Sequence, residues 1–99
     1  MRMLLKISIP VAEGNRTIRD GTLPTIMEMA LAQLHPEAAY FTLEDGNRTA
    51  FIFFDLKDVT VMPTIAEPFF MGFNAKIDLT PVMNVEDMRT GLKAMLHAA

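Results

Sequence analysis

Between Arg48 and Leu56 the chain reads RTAFIFFDL, and this stretch limits the fold more than any other. Its alternation and aromatic content predict a strand, and alternate side chains of a strand face opposite ways. Phe51 and Phe53 therefore share one face, and Ala50, Ile52 and Phe54 share the other. Both faces are apolar. The 99 residues make one domain, residues 1–99, with one small core. A chain of that size is expected to run short of material to cover both sides of a sheet. The missing cover is expected to be a second copy, with Ala50, Ile52 and Phe54 as the dimer interface, because leaving such side chains in water forgoes about 1.5 to 3 kcal/mol each.

The other segments supply the partners of this strand. MLLKISI, residues 3–9, alternates as a strand with Met3, Leu5, Ile7 and Ile9 on one side, and Pro10 ends it. The polar run AEGNRTIRDG, residues 12–21, reads as a loop. Leu23, Ile26, Met27, Ala30, Leu31 and Leu34 then recur at helical spacing, with Thr22 as a cap and Pro24 in the first turn. EAAYFTL predicts a second strand, joined through the turn EDGNR to the opening stretch as a hairpin. DVTVMPTIAEPFFMG predicts a helix capped at Asp58 or Thr60, kinked at Pro68 and stopped at Gly72. AKIDLTPV predicts a fourth strand, and Asn84 caps a last helix with the stripe Val85, Met88, Leu92 and Met95. The order β-α-β-β-α-β with an added C-terminal helix predicts the ferredoxin-like α+β class, with a four-stranded antiparallel sheet carrying its helices on one face.

Composition removes several classes of function. With no cysteine, thiolate metal sites, disulfides and a cysteine nucleophile are out, and the isolated His35 and His97 make a metal site improbable. The nine Lys and Arg are scattered and the net charge is −3, so nothing forms the basic stripe that binding of nucleic acid requires. No apolar run approaches the roughly 18 residues of a membrane helix, and Lys6 breaks the only apolar start before a secretory signal can form. The expectation is a cytoplasmic protein with no cofactor and no membrane or nucleic-acid partner.

PEAAYFT (36–42), RTAFIFFDLKD (48–58), AEPFFMGFNAKIDLTPVM (66–83) and NVEDMRTGL (84–92) carry a resemblance along nearly the whole chain to a group of small bacterial proteins with no assigned activity. More distantly the layout resembles the dimeric α+β barrel superfamily, which includes muconolactone isomerases, YciI-like proteins and antibiotic-biosynthesis monooxygenases. The resemblance implies a dimer of face-to-face sheets and a pocket between each sheet and its helices. It implies no chemistry. Monooxygenases and haem-degrading relatives of that superfamily typically use a tryptophan, which this chain lacks, and neither histidine lies where a haem ligand is expected.

The candidate ligand site gathers Asn15 and Arg16 from the polar loop, Phe69 and Phe70 from the proline-bearing helix, and Tyr40 and Phe53 from the sheet. Arg16 or Arg19 is suited to a bidentate carboxylate contact, and the phenylalanines to an aromatic ring. Each has a plainer reading: the loop as a solvated surface, Phe69 as core, Pro68 as a bend, and Tyr40 as part of the dimer interface. Lys6 and Asp78 are expected to be cross-strand neighbours, either an ion pair or a catalytic pair. Glu67 is either a buried acid with a raised pKa or a solvent-facing glutamate. GNRT occurs at 14–17 and again at 46–49, in places the predicted topology does not make equivalent. Two functions stand: a small-molecule site for an apolar or aromatic, acidic compound, catalytic or not, and a non-enzymatic dimer acting through protein contacts.

Overall fold

A computed structural model describes residues 1–98. Its elements are β1 (Arg2–Ile9), α1 (Val11–Arg19), α2 (Thr22–Leu34), β2 (Ala38–Glu44), β3 (Asn47–Asp55), a 3-10 turn (Val59–Val61), α3 (Met62–Phe73), β4 (Lys76–Pro81) and α4 (Val85–Leu96). The strands form one antiparallel sheet in the order β2-β3-β1-β4. The class is α+β. The hairpin turn is the one its residues demand: Asp45 and Gly46 both take positive φ, 53° and 76°, as a two-residue primed turn requires.

β1 is central, and it sets the sidedness of the sheet. Met3, Leu5, Ile7 and Ile9 are all buried against α2 and α3, and they pair in register with Phe54, Ile52, Ala50 and Arg48 of β3. Side chains directly opposite in an antiparallel pair share a face. Ala50, Ile52 and Phe54 therefore point into the helix-covered core, with Phe54 only 2% exposed. This corrects the expected dimer interface. The face free of helices is the other one, with Leu4 and Lys6 of β1, Phe51 and Phe53 of β3 and Ala38 and Tyr40 of β2.

The helix layer is densely filled. Phe69 and Phe73 of α3 are 1% and 0% exposed, their rings tilted by 39° with centroids 6.0 Å apart, and they meet Leu5, Ile7 and Ile52 in the core. Met27 and Ile65 complete the contact from α2 and α3. Asp58 caps the start of the α3 region, its Oδ1 accepting from the Thr60 N–H at 2.9 Å, and α3 ends after Phe73 at Asn74 rather than at Gly72.

Residues 13–19, expected as loop, are helical. Helix propensity is low at Gly14, Asn15 and Thr17, but Gly14 and Asn15 meet Arg48 of β3, and Thr17 is buried with its hydroxyl bonded back within the helix. A Cβ at Gly14 would lie 2.3 Å from Arg48 Nη1. Asn15 Oδ1 accepts from Arg48 Nη2 at 3.0 Å, and the fully buried Thr17 donates its hydroxyl to Glu13 O at 2.7 Å. Ion pairs from Arg16 to Glu13 (2.7 Å) and Asp20 (3.6 Å) follow the helical spacing.

The filled core makes a stability prediction. Phe73→Ala is expected to cost about 3–5 kcal/mol, read from urea denaturation, whereas Phe70→Ala, at a position 40% exposed, should cost far less. Equal losses at the two positions would contradict this packing.

Candidate functional site

The six residues expected to line one pocket do not converge. Asn15 and Arg16 lie on α1, Phe69 is core and Phe70 is on the outer surface of α3. Tyr40 and Phe53 lie on the opposite, helix-free side of the sheet. Arg16 is engaged: its Nη2 donates to Glu13 Oε2 at 2.7 Å and to Gly72 O at 3.1 Å, tying α1 to the end of α3. The space between sheet and α3, where a ligand was expected, holds Phe69 and Phe73 instead.

Two of the surface recesses, both predominantly apolar, and one open face stand out instead. Beside β2, Ile9, Leu23, Met27, Phe41, Leu43 and Arg48 border an apolar hollow of about 410 Å³. Here the helices stop short of the sheet edge, so Phe41 and Leu43 stay exposed on the helix side. A smaller cleft of about 110 Å³ separates α2 from α3, lined in part by Ile26, Ala30, Leu34 and Pro68. Proline inside α3 thus borders a gap between helices, not one between helix and sheet.

The open face is divided along the strands. Towards the start of β1 it is apolar, with Leu4, Phe53 and Ala38 in one register row and Phe51 and Tyr40 in the next. Towards the other end it carries Glu44, Asn47, Thr49, Lys76 and Asp78. Lys6 stands at the boundary. It is opposite Asp78 in register, as expected, but its Nζ donates to Glu44 Oε1 at 2.5 Å and lies 5.7 Å from the Phe51 ring centroid. The hydrogen bond to Glu44 raises the Lys6 pKa. Glu67 is exposed on α3, the plainer of its two readings.

The shifted groups of the described chain are held in their charged forms. Arg2, Lys6, Arg16 and Lys57 are shifted up, each chiefly by a hydrogen bond to a carboxylate, and Asp20, Asp55 and Asp58 are shifted down by hydrogen-bond donors. Every shift moves away from neutrality, the reverse of what proton transfer near pH 7 needs. Among the described residues, no three His, Asp or Glu side chains gather as metal ligands. No helix of the described chain is long and apolar enough to cross a membrane.

At the apolar end of the open face α4 leaves the domain. Every residue from Val85 to Leu96 is exposed, including the stripe Val85, Met88, Leu92 and Met95. Sequence reading found that stripe but not its isolation, and it missed Arg48, whose cationic head meets the recess beside β2. Comparison of the chain with protein-family models, with curated proteins and with solved structures gives no match.

The charged cluster beside the root of α4 gives a pH prediction. Lys57 Nζ donates to Asp55 Oδ2 at 2.6 Å and the terminal ammonium to Oδ1 at 2.6 Å, holding the Asp55 carboxyl down to about 2 from its ordinary 3.8. A depressed folded-state pKa adds stability above the unfolded value and loses it as pH falls through the folded one. Asp55→Asn should therefore flatten the acid loss of stability between pH 3.8 and about 2. The difference should shrink in high salt, since the pair is exposed. Urea midpoints measured against pH check both points.

Proposed function

We propose that this protein is a homodimer, joined through the helix-free face of its sheet and acting through protein contacts rather than by catalysis. One observation carries the reading: Leu4, Tyr40, Phe51 and Phe53 form an apolar patch, bordered by Lys6, that no helix among the described residues covers. Tyr40 alone is 64% exposed. Aromatic side chains are enriched where proteins join, and obligate interfaces resemble a core cut in half. The non-catalytic part rests on the ion pairs, which hold Arg2, Lys6, Arg16, Lys57 and Asp55 in their charged forms rather than poising them for proton transfer. We read the element order and the β2-β3-β1-β4 sheet as ferredoxin-like, with α1 and α4 as additions. The reading includes a cytoplasmic location, carried over from the sequence expectation.

Sedimentation at micromolar concentration should give about twice the chain mass of 11.1 kDa. Phe53→Lys should yield a folded monomer, because a cation would be buried there without a partner. Phe54→Lys should unfold the chain, because its side chain points into the core. A dimer that survives Phe53→Lys would show that a different surface joins the copies.

A second reading is favoured by Arg48. Its guanidinium donates to Asn15 Oδ1 at 3.0 Å and Val11 O at 3.4 Å, and among the described residues it has no carboxylate at ion-pair distance. A cation at the rim of an apolar hollow suits a small aromatic or aliphatic acid. Ligand at a hundred times its dissociation constant stabilises a fold by about 2.7 kcal/mol, which a thermal-shift screen registers. Acids should outperform the matching amides, and Arg48→Met should abolish that preference. Equal shifts for acids and amides would discard the site.

A further inference from the structure

The helix α4 is out of keeping with its surroundings. Twelve residues is at the lower limit for a helix standing alone in water, and Val85, Thr90 and Gly91 lower its propensity further. Its start is nevertheless fully capped: the Asp87 N–H donates to Asn84 Oδ1 at 2.8 Å and the Asn84 N–H donates to Asp87 Oδ2 at 3.0 Å. The molecule is 57 Å long with a radius of gyration of 16.0 Å, against about 13 Å for a compact chain of this size. A well-begun helix with an uncovered apolar stripe is an arm that lacks its docking surface.

The root of the arm adjoins the apolar half of the open face. The Val82 N–H donates to Arg2 O at 3.1 Å, and Asp87 Oδ2 lies 3.6 Å from Arg2 Nη1. Arg2 and Asp55 form the register row at this edge, and Leu4 and Phe53 come two rows further in on the same face. The three residues between Pro81 and Val85, tethered at Val82, hold the helix outward. One end of one chain therefore carries two apolar surfaces, the patch with Lys6 at its border and the stripe of α4, neither of which covers the other.

Two-fold symmetry satisfies both at once. If two copies overlap at these ends, each arm lies across the other's patch, and the contact is isologous and closed. A stable interface takes about 1,200–2,000 Å² in total, hence about 300–500 Å² from each of the two arms and two patches. One side of a helix about 18 Å long and 10 Å across supplies area of that order. Charge argues against a lipid surface as the occupant: Glu86 and Asp87 offset Arg89 and Lys93 on α4, leaving no net attraction to anionic headgroups.

We propose that α4 of one copy packs its Val85, Met88, Leu92 and Met95 stripe on Leu4, Tyr40, Phe51 and Phe53 of a second copy, in reciprocal exchange. This rests on the open-face dimer and names the element that makes it. Because the chain has no cysteine, introduced thiols report the contact directly. Full-length Leu92→Cys, isotope-labelled, is mixed with unlabelled Tyr40→Cys and oxidised under dilute conditions. In parallel, the full-length double variant Met88→Glu, Leu92→Glu is sedimented.

The expected result is a mixed disulfide dimer together with a folded, monomeric double variant. If the double variant stays dimeric and only Tyr40→Cys pairs with itself, the arm exchange is overturned while the open-face dimer stands. An intrachain disulfide in the Tyr40→Cys, Leu92→Cys chain would place the arm on its own sheet and overturn the exchange. A monomeric unmodified chain, whether or not it pellets with lipid vesicles, overturns both.

Discussion

The side-chain phase of β1 is the constraint on which the remaining structure depends. β1 lies between β3 and β4, so its backbone is paired on both edges and its register is transmitted both ways across the sheet. A one-residue slip in a strand exchanges its faces. β1 can tolerate no such slip, because Met3, Leu5, Ile7 and Ile9 are buried while Lys6 and Ser8 are not. β3 has no such preference in its centre, where both faces are apolar. It takes its orientation from β1: Ile52 is core because it pairs with Leu5, and Phe51 faces outward because it pairs with Lys6.

That orientation divides the chain's apolar material into two pools. One pool, centred on Phe69, Phe73, Leu5, Ile7 and Ile52, is closed over by α2 and α3. The second, on the open face and along α4, stays in solvent. The sheet itself keeps the pools apart, and the polar groups pair at its edges and among the helices. Lys6 is drawn to Glu44 across the sheet, Arg16 links α1 to the end of α3, and Asp55 gathers Lys57 at the strand end. Exposed pairs of this kind contribute little stability each. Their effect is positional: the Lys6–Glu44 pair spans the open face and the Arg16–Gly72 hydrogen bond fixes α1 against α3.

The helical segment 11–19 shows how tertiary contact overrides local preference. Gly14 and Asn15 are turn residues by propensity, yet both are used to admit and hold the Arg48 side chain arriving from β3. The same arginine borders the recess beside β2, so the residue that meets α1 also supplies the cation in the lining of that apolar hollow. None of this is local in sequence: Asn15 and Arg48 are 33 residues apart.

The sequence by itself determined the four strands, the helices α2, α3 and α4, the Asp45–Gly46 hairpin, the Asn84 cap and the core face of β1, but not α1, because periodicity, turn chemistry and capping are local and act through neighbouring residues. It also held a weak signal for the facing of β3, since Asn47, Thr49 and Asp55 make one face polar at both ends while Ala50, Ile52, Phe54 and Leu56 continue the other. Only the tertiary structure decided that Ala50, Ile52 and Phe54 are core, that Tyr40 and Phe53 are on the far side from Phe69, that Arg16 is occupied, and that every residue of α4 is exposed. Each of these depends on which residues the strand register and helix packing bring opposite one another, and that pairing spans distances along the chain that no local pattern records.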